Sequence, residues 1–394
     1  MNSTRRNVAL LAACQAMLFA NNSTLFAING LTGFALAPYP ALATLPMTCW
    51  VLGGALATMP ASFHMKRVGR QQGLTLGTVW GVAGAIGCAA AVWLQSFWLL
   101  CAATLLYGVF NAYGQYYRFA AADTAPPDYK ATAISLVLAG GLVGGIIGPA
   151  SSRLTIELLQ PKFLAAYIGL LVFVLAVTTL LQFIRIPNPS AAERAASGRP
   201  LLEIAAQPKF IVAVLSAAIG YGVMNFLMTS TPIAMQVCGL SYGDTALVIS
   251  SHIVGMFAPS FFTGHLIRRF GVLKVMLVGA LLNVATVGVA LAGITVAHFW
   301  WALVVLGIGW DFLYIGGTTL LTETYRPEER AKAQGANDQL IFIMMVISSF
   351  SAGMTVTGAG WARVNLFALP LIAIIVVALV WFSLYQRTRR PAAA

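Results

Sequence analysis

Two ionisable side chains sit deep inside apolar runs of this sequence: Asp311 in LVVLGIGWDFLYIGG and His252 in LVISSHIVGMFAPS. A fixed charge without a partner is expensive in such surroundings, so a group placed there is either paired or takes up and releases a proton. Proton coupling is the expectation for both, with a structural histidine as the alternative for His252. Arg118 and Asp338 lie one or two turns inside other apolar runs. A contact between them that exists in one conformational state only would act as a gate; each could instead pair locally.

Polar, mostly uncharged side chains recur at helical spacing around these groups. Tyr107, Asn111, Gln115 and Arg118 fall at i, i+4, i+8 and i+11, and Asp311, Tyr314, Thr318 and Thr322 at i, i+3, i+7 and i+11, each set on one helix face. Gln15, Asn22 and Asn29 repeat at intervals of seven, and Tyr221, Asn225 and Thr229 at intervals of four. Such stripes line a water-filled path or bond between helices. On the first reading Asn22, Tyr107, Asn111, Gln115, Tyr221, Asn225, Asp311 and Tyr314 bind a solute. Trp50 and Trp310, nearer mid-run, could stack on it; Trp93, Trp98, Trp300, Trp301, Trp361 and Trp381 read as interfacial anchors.

No H-E-x-x-H, G-x-S-x-G, phosphate loop or paired catalytic acids are present, so no enzyme is expected. Cys14, Cys49, Cys88, Cys101 and Cys238 stand singly, with no C-x-x-C and no cysteine–histidine cluster. Neither a disulfide framework nor a zinc site is indicated, and no metal or other cofactor is expected.

The elements that hold these residues follow from composition. Of 394 residues 59% are hydrophobic and 9% charged, with a mean hydropathy of +0.83. A water-facing surface needs roughly a quarter of its residues charged, so the solvent is a lipid bilayer. The net charge of +12 sits in short clusters between apolar runs, which argues against nucleic acid. Twelve stretches reach the roughly 20 residues that a membrane crossing needs: 8–36, 41–63, 73–94, 97–122, 131–157, 162–184, 209–232, 243–267, 272–293, 297–322, 333–358 and 362–386. The basic opening with Arg5 and Arg6 could be an export signal, but its apolar character runs on to Leu36, so it is expected to stay as the first span.

With the N-terminus in the cytoplasm, 19 of the 23 Lys and Arg fall on that side, only Arg153, Lys162 and Arg363 fall opposite, and Arg118 is within a span. This bias predicts both termini cytoplasmic; the chain is expected in a bacterial-type inner (plasma) membrane, as a monomer. The polar stretch 185–208 reads as a cytoplasmic linker, with a short interfacial helix at 201–206, separating six-span bundles at 1–184 and 209–394.

The halves are repeats. An offset of 200 sets Asn111 on Asp311, Asp123 on Glu323, Pro127 on Pro327 and Lys130 on Arg330; an offset of 202 sets Arg67-Val68-Gly69 on Arg269-Phe270-Gly271 and Gly77 on Gly279. Parallel repeats of this kind place a solute site at the midplane between halves that rock against each other.

At this point the whole chain resembles the major facilitator superfamily. Its loop signature G-x-L-A-D-R-x-G-R-[RK] is matched by Ser62-Phe63-His64-Met65-Lys66-Arg67-Val68-Gly69-Arg70-Gln71 and, more closely, by Gly264-His265-Leu266-Ile267-Arg268-Arg269-Phe270-Gly271. Lys66 and Arg268 stand where the family carries an acid, so the family's acid-to-helix-end lock cannot form as such. Asp123-x-x-x-Pro127-x-x-Lys130 and Glu323-x-x-x-Pro327-x-x-Arg330 are also similar to the family.

The resemblance implies an all-α integral membrane fold of twelve helices in two pseudo-symmetric six-helix bundles, with the first, fourth, seventh and tenth lining the path. It also implies a cytoplasmic charge network in which Asp123 pairs with Arg67 or Arg70, and Glu323 with Arg269. Gly140-Gly141, Gly144-Gly145 and Gly148-Pro149 resemble an antiporter motif, although Ser152 and Arg153 depart from it and small-residue packing explains the run equally.

The function expected is therefore proton-coupled transport of a small organic solute by alternating access. The antiporter-like run favours efflux and the amide-rich stripes favour uptake. A channel, a non-transporting sensor or an intramembrane enzyme are the competing classes.

Overall fold

The computed structural model describes residues 3–39, 42, 45–187 and 198–388. In chain order the helices are α1 (Ser3–Leu36), α2 (Leu45–Val68), α3 (Arg70–Trp93), α4 (Phe97–Gly114), α5 (Tyr117–Thr124), α6 (Lys130–Thr155), α7 (Leu164–Gln182), α8 (Leu201–Ala205), α9 (Pro208–Val237), α10 (Tyr242–Phe257), α11 (Ser260–Phe270), α12 (Val272–Ala292), α13 (Val296–Leu321) and α14 (Arg330–Thr388). No strand occurs among the described residues. Among the described residues eleven helical stretches are long and apolar enough to cross a membrane, and α2, 24 residues long but diluted by Pro46, Gly53, Gly54 and Pro60, makes a twelfth. The protein is a multi-pass membrane protein.

Four expected spans have a different internal form. The fourth is α4 followed by α5, with a break at Gln115–Tyr116 where Arg118 Nη1 donates to the Gln115 carbonyl, 2.6 Å away. The eighth is α10 followed by α11, broken at Pro259, which has no N–H to continue the helix. The last two lie within α14 and are divided at Gly360, whose φ of 79° turns the chain out of helical geometry. Residues 188–197, most of the expected linker, lie outside the described residues, as do Arg389 and Arg390; Arg194 lies within that linker segment. The short helix expected there is α8.

The signature loops reduce to single residues. Gly69 alone joins α2 to α3 with φ 96°, and Gly271 alone joins α11 to α12 with φ 88°. Side-chain-bearing residues rarely adopt this backbone, so the repeated glycine is what permits so tight a reversal.

By contacts the chain divides into two compact units: Met1–Pro127, Leu136–Ser197 and Pro327–Gln339 form the first, and Asp128–Ser135, Gly198–Arg326 and Leu340–Ala394 the second. The first unit thus takes in the opening turns of α14, and the second takes in the opening of α6. In the first unit Gly140, Gly144 and Gly148 of α6 lie directly on the backbone of α1 at Ala12, Ala16 and Ala20, so a Cβ at any of them would collide with a carbonyl. The glycine run is the surface on which α6 meets α1.

Candidate functional site

In the first unit, charged and polar groups converge on the opening of α14. Arg330, Gln334 and Asp338 lie four residues apart and so share one face. Asp123, at the end of α5, receives Arg330 Nε at 3.5 Å and Arg70 Nη2 at 3.0 Å. Arg70 also donates to Gln334 Oε1, and its guanidinium lies over the Tyr116 ring. Two turns inward, Arg118 Nη2 meets Asp338 Oδ1 at 2.5 Å, both side chains at most 2% exposed. Asn337 Nδ2 donates to the same oxygen at 2.8 Å, and Phe119 lies beneath the guanidinium at 4.4 Å. The break in the fourth span frees the carbonyl that holds Arg118 in place.

Amides cluster between α1 and α4. Asn22 Nδ2 donates to Asn111 Oδ1 at 2.9 Å, and Gln115 Nε2 reaches the same oxygen at 3.5 Å. Tyr107 is buried against Gly84 of α3, with no protein partner for its hydroxyl.

The second unit holds Asp311, 1% exposed. Its carboxylate accepts from Ser260 Oγ and, at 2.6 Å, from Thr263 Oγ1, both in the first turn of α11 after the Pro259 break. The same turn is joined to α6: Ser135 Oγ donates to the Ser260 carbonyl and accepts from the Gly264 N–H at 3.0 Å. Beside Asp311, Trp310 and Tyr314 stack at 4.9 Å with 17° between ring planes, and Tyr221 of α9 stands edge-on to both, at 5.4 and 5.5 Å. Tyr221 is the half-buried ring of the three.

His252 lies 2.6 Å by Nδ1 from the Leu303 carbonyl, eight residues before Asp311 on α13. A carbonyl only accepts, so Nδ1 carries the proton, while Nε2 has no protein partner. Asn225 is bound to α14 through Ser348 Oγ at 2.8 Å and Ser349 Oγ at 2.7 Å.

Of the residues singled out in the sequence, the fold therefore brings together Arg118 with Asp338, Arg70 with Asp123, Asn22 with Asn111 and Gln115, and Tyr221 with Tyr314. His252 and Asp311 have separate partners, the Leu303 carbonyl for the one and Ser260 with Thr263 for the other. Glu323 pairs with Lys209 at 2.8 Å instead of Arg269, because α9 begins beside the end of α13; Arg269 lies over its neighbour Phe270, and Arg67 is exposed. Ser260, Thr263, Ser135 and Gln334 escaped the sequence reading. For Ser260 and Thr263 the available signal was a pair of hydroxyls directly after a mid-span proline; for Gln334 it was the interval of four between Arg330 and Asp338.

Among the described residues no group of three or more His, Cys, Asp or Glu is placed to hold a metal ion. The family model for the Major Facilitator Superfamily matches residues 10–259 and 213–394. The chain is 40% identical over 383 residues to the riboflavin transporter RfnT of Brucella anthropi, covering 96% of each chain. It is 29% identical to the uncharacterized MFS-type transporter YddS of Bacillus subtilis, covering 86% of this chain and 82% of that one. Among solved structures it resembles the Escherichia coli fucose:proton symporter FucP, with a TM-score of 0.75 at 18% identity over 96% of this chain and 99% of that one. It also resembles the human organic anion transporter MFSD10, with a TM-score of 0.77 at 12% identity over 96% and 100%. These two show the shared fold.

Proposed function

The chain belongs to the Major Facilitator Superfamily, a family of transporters and not of enzymes, and we propose that it moves riboflavin across a bacterial-type inner membrane by proton-coupled alternating access. The observation that carries the solute is the similarity, along nearly all of both chains, to a riboflavin transporter. The chemistry of the interior agrees with it. Riboflavin is uncharged near neutral pH, with a flat tricyclic ring, a polyol chain and one edge that alternates carbonyl acceptors with an N–H donor. Amides such as Asn22, Asn111 and Gln115 match that edge, because each can both donate and accept. The Tyr221, Trp310 and Tyr314 rings offer faces and edges of the kind that flat heterocycles stack against. A fixed counter-charge would be wasted on such a solute.

Asp311 is the proposed proton carrier, with His252 as the next candidate. Ser260 and Thr263 can donate to the carboxylate and, once it is protonated, can turn to accept, so either state is accommodated without an orphaned group. Arg118–Asp338 is the proposed gate, with Arg70, Asp123, Gln334 and Arg330 as the network on its cytoplasmic side. Both termini face the cytoplasm in this reading.

Purified protein in sealed liposomes with an imposed pH gradient tests the proposal. Riboflavin should move against its own gradient, in a direction set by the proton gradient, and should stop when the gradient is collapsed by a protonophore. Riboflavin binding with no flux would leave a sensor; no binding would overturn the choice of solute.

A further inference from the structure

The five cysteines are all free thiols, and two of them meet although they are 52 positions apart in the chain. Cys49 lies in the second turn of α2 and Cys101 in the second turn of α4. These helices touch backbone to backbone just beyond: a Cβ at Gly53 would collide with the Leu105 carbonyl, and one at Gly108 with Trp50 and Gly54. Cys49 precedes Gly53 by four residues and Cys101 precedes Leu105 by four, so the thiols occupy the next turn of the same contact. They lie within hydrogen-bond reach of each other. Cys101 is 6% exposed, whereas Cys49 is half-buried.

We propose that Cys49 and Cys101 are a redox-active dithiol, oxidised to an intramolecular disulfide by a small disulfide carrier such as glutathione disulfide. Cys49 loses its proton and attacks one carrier sulfur; the carrier S–S bond breaks, a mixed disulfide forms, and the first carrier thiol departs with a proton. Cys101 then loses its proton and attacks Cys49 Sγ, which releases the second carrier thiol with the other proton. Two cysteine thiols have lost two electrons, and one carrier disulfide has gained them. With both termini cytoplasmic, the openings of α2 and α4 lie on the opposite side of the membrane, where disulfides persist. The product ties α2 to α4 across the whole of α3 and so restricts the unfolded chain of the first unit.

The test uses the full-length purified protein, treated with glutathione disulfide, unfolded, and labelled with a maleimide. The expected result is three labelled thiols in place of five, a mass lower by two hydrogens with no glutathione retained, and a peptide map that joins Cys49 to Cys101. Cys101→Ser should keep one glutathione on Cys49 and form no bridge. Peptide mapping of the unsubstituted protein decides the matter even if that variant folds poorly. Five labelled thiols after oxidation, glutathione retained on Cys49 of the unsubstituted protein, or a bridge to another cysteine would overturn the proposal.

Discussion

Removing Arg118 while leaving Asp338 in place tests the gate most directly. Both side chains are at most 2% exposed, so solvent screens little of their attraction. After Arg118→Met, Asp338 keeps the Asn337 amide on Oδ1 and the more distant charge of Arg70, and Oδ2 has no protein hydrogen-bond partner. Stranding one member of a buried ion pair costs about 3–5 kcal/mol. Where the pair exists in one conformational state only, that cost shifts the equilibrium away from this state by about 100-fold or more.

The readout is the alkylation rate of a cysteine placed at Ser62 in a background without the five native thiols. Ser62 is 1% exposed, and a methyl at Gly335 of α14 would lie 3.3 Å from its Cβ, so it becomes reachable only when the opening of α14 moves off α2. Arg118→Met and Asp338→Leu should each accelerate alkylation by about that factor. The double variant buries no charge and should return close to the starting rate, a coupling about as large as the two single effects together, about 6 kcal/mol, and exchanging the two charges should restore part of it. If the single effects simply add, with coupling under about 0.5 kcal/mol, the two residues do not act as one gate.

Asp311→Asn, which resembles the protonated acid, should abolish proton-driven riboflavin accumulation in liposomes while riboflavin binding persists; unchanged pH dependence of transport would make Asp311 structural and turn attention to His252. Tyr221→Ala should weaken riboflavin binding by about tenfold, roughly 1.4 kcal/mol, and Tyr221→Phe much less, measured by titration; equal losses in the two would show that the ring is not the point of contact. Gly144→Ala forces a methyl onto the Ala16 carbonyl and should cost about 1–3 kcal/mol of stability, read as a lowered thermal midpoint in detergent; an unchanged midpoint would mean that α6 and α1 separate at little cost. Reporter fusions at both ends should be active only with cytoplasmic reporters, and activity of an external reporter at either end would reverse the orientation.

The number of spans, the duplication and the family were legible because each is written in local or additive properties. An apolar run of about 20 residues is recognisable wherever it folds, and a repeat offset survives without knowledge of packing. Helical intervals also sorted Asn111 with Gln115 correctly. Tyr107 shares that nominal face and is packed against Gly84, because a stripe covers more than one neighbour and only the neighbour's shape selects the contact. The break at Gln115 carried no proline to announce it, whereas Pro259 marked the other break and could have been read.

By itself the sequence determined that this is a twelve-span membrane protein built from two repeated halves, since hydrophobic length, basic clusters and self-similarity need no partner to be meaningful. Only the tertiary structure decided which polar groups meet. Arg118 and Asp338 are 220 positions apart, Asp311 and Ser260 are 51 apart, and the thiols of Cys49 and Cys101 are separated by the whole of α3. Each pairing depends on where helices cross, and the crossings are set by close approach at residues such as Gly53, Gly144 and Gly335. A glycine's position in the chain does not say which backbone will fill the space it leaves, so the identity of every long-range partner waited on the fold.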